Sequence, residues 1–212
     1  MPKNETRDTK EVIVTVALKL FSEKGYDGVG IRDISKEIGI RESALYRHYS
    51  GKKDIFDSIL KDIDRRYQEE VSTFIPPESV ANILSEESDV REELFGISIT
   101  MMFQFYLKTE YGSQLRRMLT MEQYRNSEAS KFFRELIIDK GLDYISGVFT
   151  DLINTGVYVE ADPMVMALQF YSPLYLLLSK YDNQPEKYEE ALSFLEKHIT
   201  TFNITYLRSD KQ

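Results

Sequence analysis

Between Arg32 and Lys52 the chain gathers side chains suited to a nucleic acid. Arg32, Arg41 and Arg47 each carry a planar guanidinium whose paired N–H groups fit O6 and N7 of guanine in a major groove. Glu42 can accept from a cytosine amine, and Ser43 beside it can bond a base edge. Tyr46 follows the apolar Leu45, so it faces outward from a short helix, with a hydroxyl for a phosphate and a ring for a sugar. Lys52 falls in the first turn of the next helix, where backbone N–H groups and the dipole already favour an anion. More than half of protein–DNA hydrogen bonds go to the backbone, so each arginine has as much reason to hold a phosphate as a base.

The elements that must position these groups are short helices. Ile31, Ile34 and Ile38 recur at helical spacing, and Gly39 stops that helix. Leu45 and Tyr49 lie one turn apart on a second, very short one. Two helices across a glycine turn form a helix-turn-helix, whose second helix enters the major groove. Upstream, Asp8 and Glu11 predict a capped helix start, and Ile13, Ala17, Leu20 and Phe21 share one face. Lys24 and Gly25 predict its end. Downstream, Ser50 predicts the cap of a fourth helix with a stripe of Phe56, Ile59, Leu60, Ile63 and Tyr67, stopped by Pro76 and Pro77.

The segment also resembles the TetR family of bacterial regulators, on Phe21, Gly25, Tyr26, Ile34, Gly39, Leu45, Tyr46, His48, Tyr49, Lys52 and Phe56. The resemblance is strong over residues 8–60 and covers only architecture beyond. It implies base contacts from residues 41–44, Ala44 included, and from Arg47, with Arg32 reaching in from the preceding helix. It implies phosphate contacts from Tyr46, His48 and Lys52. Val29 and Gly30 stand where hydroxyl residues are common in the family, so a cap and a phosphate contact are expected to be lost. Arg41, Ser43 and Ala44 also depart from frequent family residues, so operator preferences do not carry over.

The remaining chain reads as helix throughout. A polar stretch at 78–88 reads as a short helix or loop. Asp89 and Glu92 open a helix that Gly112 is expected to break. A short helix to about Tyr124 follows, then a long one from Ser127 to Asn154, closed by Gly156. Met164, Leu168, Tyr171, Tyr175 and Leu178 form one seam, with Pro173 inside it as an expected kink. Tyr188, Leu192, Leu195, Ile199, Phe202 and Tyr206 form another, and two such seams suit a helical bundle. The expectation is an all-α chain of about nine helices, with a head at 1–50, a connector helix from about 51, and an effector-binding and dimerisation domain at 51–212.

By resemblance, that second domain holds an effector and pairs two chains through its last helices. Aromatic and Met-rich stretches supply the candidate lining: Phe105, Tyr106, Met118, Met121, Tyr124, Phe149, Phe170 and Tyr171, with Gln104, Glu122 and Gln169 as polar groups. The same side chains at helical spacing also make plain core. Leu168, Tyr175, Leu192, Leu195, Ile199 and Phe202 are the candidate dimer contacts.

Composition bounds the rest. The net charge is −8, yet residues 1–50 carry +1 and the remainder −9, so the acidity lies outside the head. Only charges near the phosphates count at physiological salt, and an acidic body does not exclude DNA. With no cysteine there is no disulfide or thiolate metal site, and a reducing cytoplasm is the expected compartment. No signal peptide, membrane span, metal spacing or cofactor motif is read. The two histidines, His48 and His198, lie far apart, and the paired glutamates Glu69–Glu70 and Glu189–Glu190 diverge on a helix, so an enzyme finds little support. The expected function is a ligand-responsive regulator, most simply a repressor, that binds a palindromic double-stranded operator as a homodimer and answers to a small, largely apolar effector. The alternative is a helical ligand carrier or enzyme-like bundle whose head does not bind DNA specifically.

Overall fold

Glycine sets the first helix boundaries. A computed structural model describes the backbone of residues 3–74 and 88–208, and side chains over 9–70, 72 and 95–208. Helix α1 (Lys3–Lys24) buries Ile13, Ala17, Leu20 and Phe21, and begins at Lys3, ahead of the expected start at Asp8. Gly25 at φ 71° ends it, its N–H donating to the Phe21 carbonyl at 3.0 Å. Helix α2 (Ile31–Ile38) ends at Gly39, whose φ of 79° favours a residue without Cβ. Helix α3 (Glu42–Leu45) is a single turn. Gly30 offers no side chain to cap α2, but Asp33 reaches back and accepts from the Gly30 N–H at 2.7 Å, so half of a capping box survives.

Helix α4 (Lys52–Phe74) buries all of Phe56, Ile59, Leu60, Ile63 and Tyr67. Pro76, Pro77 and the polar stretch beyond them lie outside the described residues, except Ser88, which opens helix α5 (Ser88–Lys108). The break after α5 falls at Thr109, and Gly112 lies within helix α6 (Glu110–Glu122). A Cβ at Gly112 would sit 2.4 Å from the Phe105 carbonyl oxygen, so this glycine permits the close corner between α5 and α6 without breaking a helix.

Helix α7 starts at Ser127–Phe132 under an Asn126 cap, widens into a π-helical stretch at Phe133–Asp139, and continues as Lys140–Asn154. Helix α8 (Pro163–Lys180), capped by Asp162, runs through Pro173 to its end. A 3₁₀ turn at Pro185–Lys187 leads into helix α9 (Tyr188–Tyr206). Nine helices are thus present among the described residues, as expected.

Residues Met1–Gln68 and Gln114–Arg134 form one compact unit, and Glu69–Ser113 and Glu135–Gln212 a second. The division follows no single cut in the chain, because the first unit takes in the greater part of α6. In the first unit the rings of Phe21, Tyr26 and Phe56 lie 5.0 to 5.7 Å apart. The second is built on an aromatic cluster: Phe149 stacks on Phe202 at 5.1 Å and meets Phe170 edge-on at 5.7 Å.

Two tyrosine hydroxyls serve the π stretch in that second unit. Tyr106 donates to the Leu136 carbonyl at 3.2 Å, and Tyr171 donates to the carbonyl of Ile137. Gly141 leaves room for the Tyr171 ring, which a Cβ there would approach to 2.9 Å. His198 donates from Nε2 to the Phe170 carbonyl at 2.9 Å, since a carbonyl oxygen can only accept.

Candidate nucleic-acid interface

Gly39 turns the chain between α2 and α3 and fixes which side chains leave the head. Arg41 is the residue before α3, in extended conformation at φ −75° and ψ 146°, and its side chain is exposed. Glu42, Ser43 and Arg47 are exposed, and so is Arg32 on α2; Ala44 and His48 are half-buried. Tyr46 follows Leu45, which is 0 % exposed, and stands out at 53 % exposed. That is a high exposure for an aromatic ring with an apolar neighbour. Apart from Arg32 on α2 and Lys52 on α4, the side chains expected to read or grip DNA lie on and beside the single turn of α3.

Lys52 differs from that group. It is half-buried, donates from Nζ to the Tyr26 carbonyl at 2.8 Å, and lies 4.1 Å from the centre of the Tyr26 ring. One of its three donors is used there. Burial holds the Tyr26 hydroxyl above its ordinary titration range, while Lys53 pulls it the other way. At the start of α4, Asp54 accepts from the Ser50 N–H at 2.8 Å and from its hydroxyl at 3.2 Å. The backbone hydrogen bond holds the Asp54 carboxyl below its usual range. The hydroxyl of Ser50, the expected cap of α4, thus donates to Asp54, and it is the Asp54 carboxylate that reaches back to the backbone N–H.

The geometry of a buried Leu45 beneath an exposed Tyr46, behind a glycine turn, meets an independent match. Residues 13–59 fit the model of "Bacterial regulatory proteins, tetR family". Over that segment the chain carries the DNA-binding head of the TetR type. The biofilm operon icaADBC HTH-type negative transcriptional regulator IcaR of Staphylococcus aureus (strain Newman) is 44% identical over 52 residues. That stretch is 24% of this chain and 28% of IcaR, so the chain spans little more than a quarter of that relative's length.

A likeness of fold extends over most of the chain in solved structures. A transcriptional regulator of Saccharomonospora viridis in complex with choline superposes with a TM-score of 0.68 at 17% identity, covering 95% of this chain and 99% of that one. The regulator FadR of Bacillus subtilis in complex with stearoyl-CoA gives a TM-score of 0.62 at 18% identity, covering 91% and 96%. At such identities the likeness is one of fold.

The expected effector residues fall in both units. Met118, Met121, Glu122 and Tyr124 belong to the first, with Tyr124 standing 87 % exposed and lining no cavity wall; Gln104, Phe105, Tyr106, Phe149, Gln169, Phe170 and Tyr171 belong to the second. Phe149 and Phe170 are each 0 % exposed within the aromatic cluster. Gln169 is exposed and accepts from the Tyr206 hydroxyl. Glu122 is 4 % exposed, with Oε1 accepting from the Tyr26 N–H at 2.9 Å. A groove of about 340 Å³ in the second unit is lined by Gly96, Ile97, Thr100, Met101, Ile199 and Thr200, with Glu196 beside them. None of the expected effector residues lines it.

The expected dimer residues also divide. Leu168 is 48 % exposed and Tyr175 and Ile199 are half-buried, but Leu192, Leu195 and Phe202 are buried within the chain's own core, at 9, 0 and 6 %. Buried side chains such as Leu195 and Phe202 offer no surface to a second copy. On α8 the inward seam is Ala167, Phe170, Leu174 and Leu177, one residue out of step with the expected one, although Leu178 of the expected seam is also buried, at 4 %. An outward stripe carries Val165, Leu168 and Leu176, at 49, 48 and 64 % exposed. Sequence reasoning also missed the backbone of Tyr26, which α4 and α6 both grip. No residue type marks a peptide group as a tether.

Proposed function

We propose that this chain is a sequence-specific DNA-binding transcriptional regulator that acts as a homodimer on a palindromic operator. The observation that supports it best is the exposed set Arg41, Ser43, Tyr46 and Arg47 around one turn of helix, within the segment that matches the TetR family. Arg41 and Arg47 read bases, and Tyr46 and Lys52 hold phosphates. The head carries only +1 over residues 1–50, so non-specific affinity is modest and the base contacts must supply the selectivity. Its site of action is the bacterial cytoplasm, where the operator is. Among the described residues no helix is long and apolar enough to cross a membrane.

Repression is the sense of the regulation, by analogy with the negative regulator IcaR, which shares the head. A small, largely apolar effector releases the operator by binding the DNA-incompetent state more tightly. A tenfold loss of operator affinity needs only about 1.4 kcal/mol of such preference. Stearoyl-CoA and choline, bound by two of the fold neighbours, differ so widely in chemistry that the fold does not choose the effector class. A gel shift against genomic fragments, with a salt titration, tests the core of the reading. A sequence-selective shift that weakens steeply with salt is expected; shifts equal on specific and random duplexes would leave a carrier or interaction bundle in its place.

A further inference from the structure

The turn between α1 and α2 is held at both backbone polar groups of one residue. The Tyr26 N–H donates to Glu122 Oε1 at 2.9 Å, and the Tyr26 carbonyl accepts from Lys52 Nζ at 2.8 Å. Glu122 is the last residue of α6, and Lys52 the first of α4. The two contacts join segments 96 and 26 residues apart in sequence. The left-handed Gly25 immediately before Tyr26 lies against the same carboxylate: a Cβ there would be 3.6 Å from Glu122 Oε1.

The two contacts differ in kind from a surface pair. Glu122 is 4 % exposed, and a buried carboxylate that loses a hydrogen bond is left with an uncompensated charge. A hydrogen bond to an ionised acceptor is about twice as strong as a neutral one. Arg125 and Asp27, which bridge the same two segments at 3.3 Å, are 66 and 75 % exposed, so that pair contributes little. Tyr26 is itself wedged between Phe21 and Phe56, with the Lys52 ammonium over its ring. Displacing the end of α6 displaces Tyr26, and Tyr26 carries the carbonyl and the ring on which the ammonium rests.

We propose that Glu122 is a positioning residue for DNA binding: through Tyr26 it sets where Lys52 presents its charge to a phosphate. The inference rests on the DNA-binding reading above. One Lys52 donor stays on the Tyr26 carbonyl and the other two are left for the DNA backbone. Glu122 touches no DNA, and its effect on affinity runs entirely through that placement.

The test uses a duplex selected by the wild-type protein from a randomised library. Affinity is measured across a salt series for the wild type, Glu122→Gln, Glu122→Met, Glu122→Ala, Lys52→Met and the Glu122→Met/Lys52→Met double variant, with thermal melting alongside. Glu122→Gln keeps an oxygen acceptor at the same reach, so it should stay within about twofold of wild type. Glu122→Met keeps the volume without the acceptor, and carries the test if Glu122→Ala does not fold. It should weaken binding by about tenfold and flatten the salt slope by about one, as Lys52→Met does. The double variant should be no weaker than Lys52→Met by more than about twofold, because both changes remove one contact. Wild-type affinity and slope in Glu122→Met, or losses that add in the double variant, would overturn the inference and leave the DNA-binding reading standing. A wild-type protein that selects no sequence would bring down both.

Discussion

Tyr46 and Arg47 are adjacent and both exposed, yet they should fail in different ways when changed. Tyr46→Phe removes a hydroxyl from a ring that is 53 % in solvent, so the fold should be untouched and operator affinity should fall evenly across sequences. Arg47→Ala should relax preference at one base position at a cost of about 1–3 kcal/mol, read as a change in the selected consensus. Equal loss on specific and random duplexes would make Arg47 a phosphate contact. Asp54 gives a pH signature. Its folded-state titration lies below the unfolded value because the Ser50 N–H bonds the ionised form. Its stabilisation is therefore full above the unfolded value and is lost as pH falls through the depressed one. The melting-temperature gap between wild type and Asp54→Ala should be present at pH 7 and close below about pH 4. A gap that persists unchanged to pH 2.5 would show that the contribution is not the carboxylate's charge.

At the scale of elements, the glycine at the end of α2 decides how the short α3 leaves the head. Gly39 sits at φ 79°, and a Cβ there would meet nothing within 4 Å, so Gly39→Ala tests backbone strain without a clash. It should cost about 1–2 kcal/mol, seen as a lower unfolding midpoint with an unchanged denaturant slope. No loss would mean that the turn relaxes to a right-handed conformation. The helix boundaries written in Gly25, Gly39 and Gly156 were legible in the sequence, because a left-handed cap is a local demand met by one residue type. Gly112 was not, because its requirement is the approach of the Phe105 carbonyl from the preceding helix. The π stretch at Phe133–Asp139 left no sequence mark either. Two of its carbonyls meet hydroxyls from Tyr106 and Tyr171, on other helices.

At the scale of the whole molecule, the outward stripe of Val165, Leu168 and Leu176 on α8 is the surface to alter in a test of dimerisation. Leu195 is 0 % exposed, and a charge there would break the chain's own core, confusing misfolding with dissociation. Leu176 is 64 % exposed, so Leu176→Glu should leave the protomer folded. If α8 pairs two chains, the variant should run as a monomer in light scattering at micromolar concentration and bind a palindromic operator far more weakly than a half-site difference explains. A wild-type protein that is itself a well-behaved monomer would remove the dimer from the functional reading.

Local patterns by themselves determined the helix-turn-helix, the exposure of Tyr46 and the all-α architecture. Each depends on spacing along a single helix or on a left-handed conformation that favours glycine. Tertiary structure alone decided which way an all-round apolar helix faces. On α8 the 4-3-4-3 spacing fits both the expected seam through Leu168 and Tyr175 and the one the core took, through Phe170 and Leu174. When apolar residues surround a helix, periodicity no longer selects a face, and packing against neighbours does. The same holds for Glu122: only the fold brings its carboxylate to the Tyr26 N–H, across 96 residues of chain.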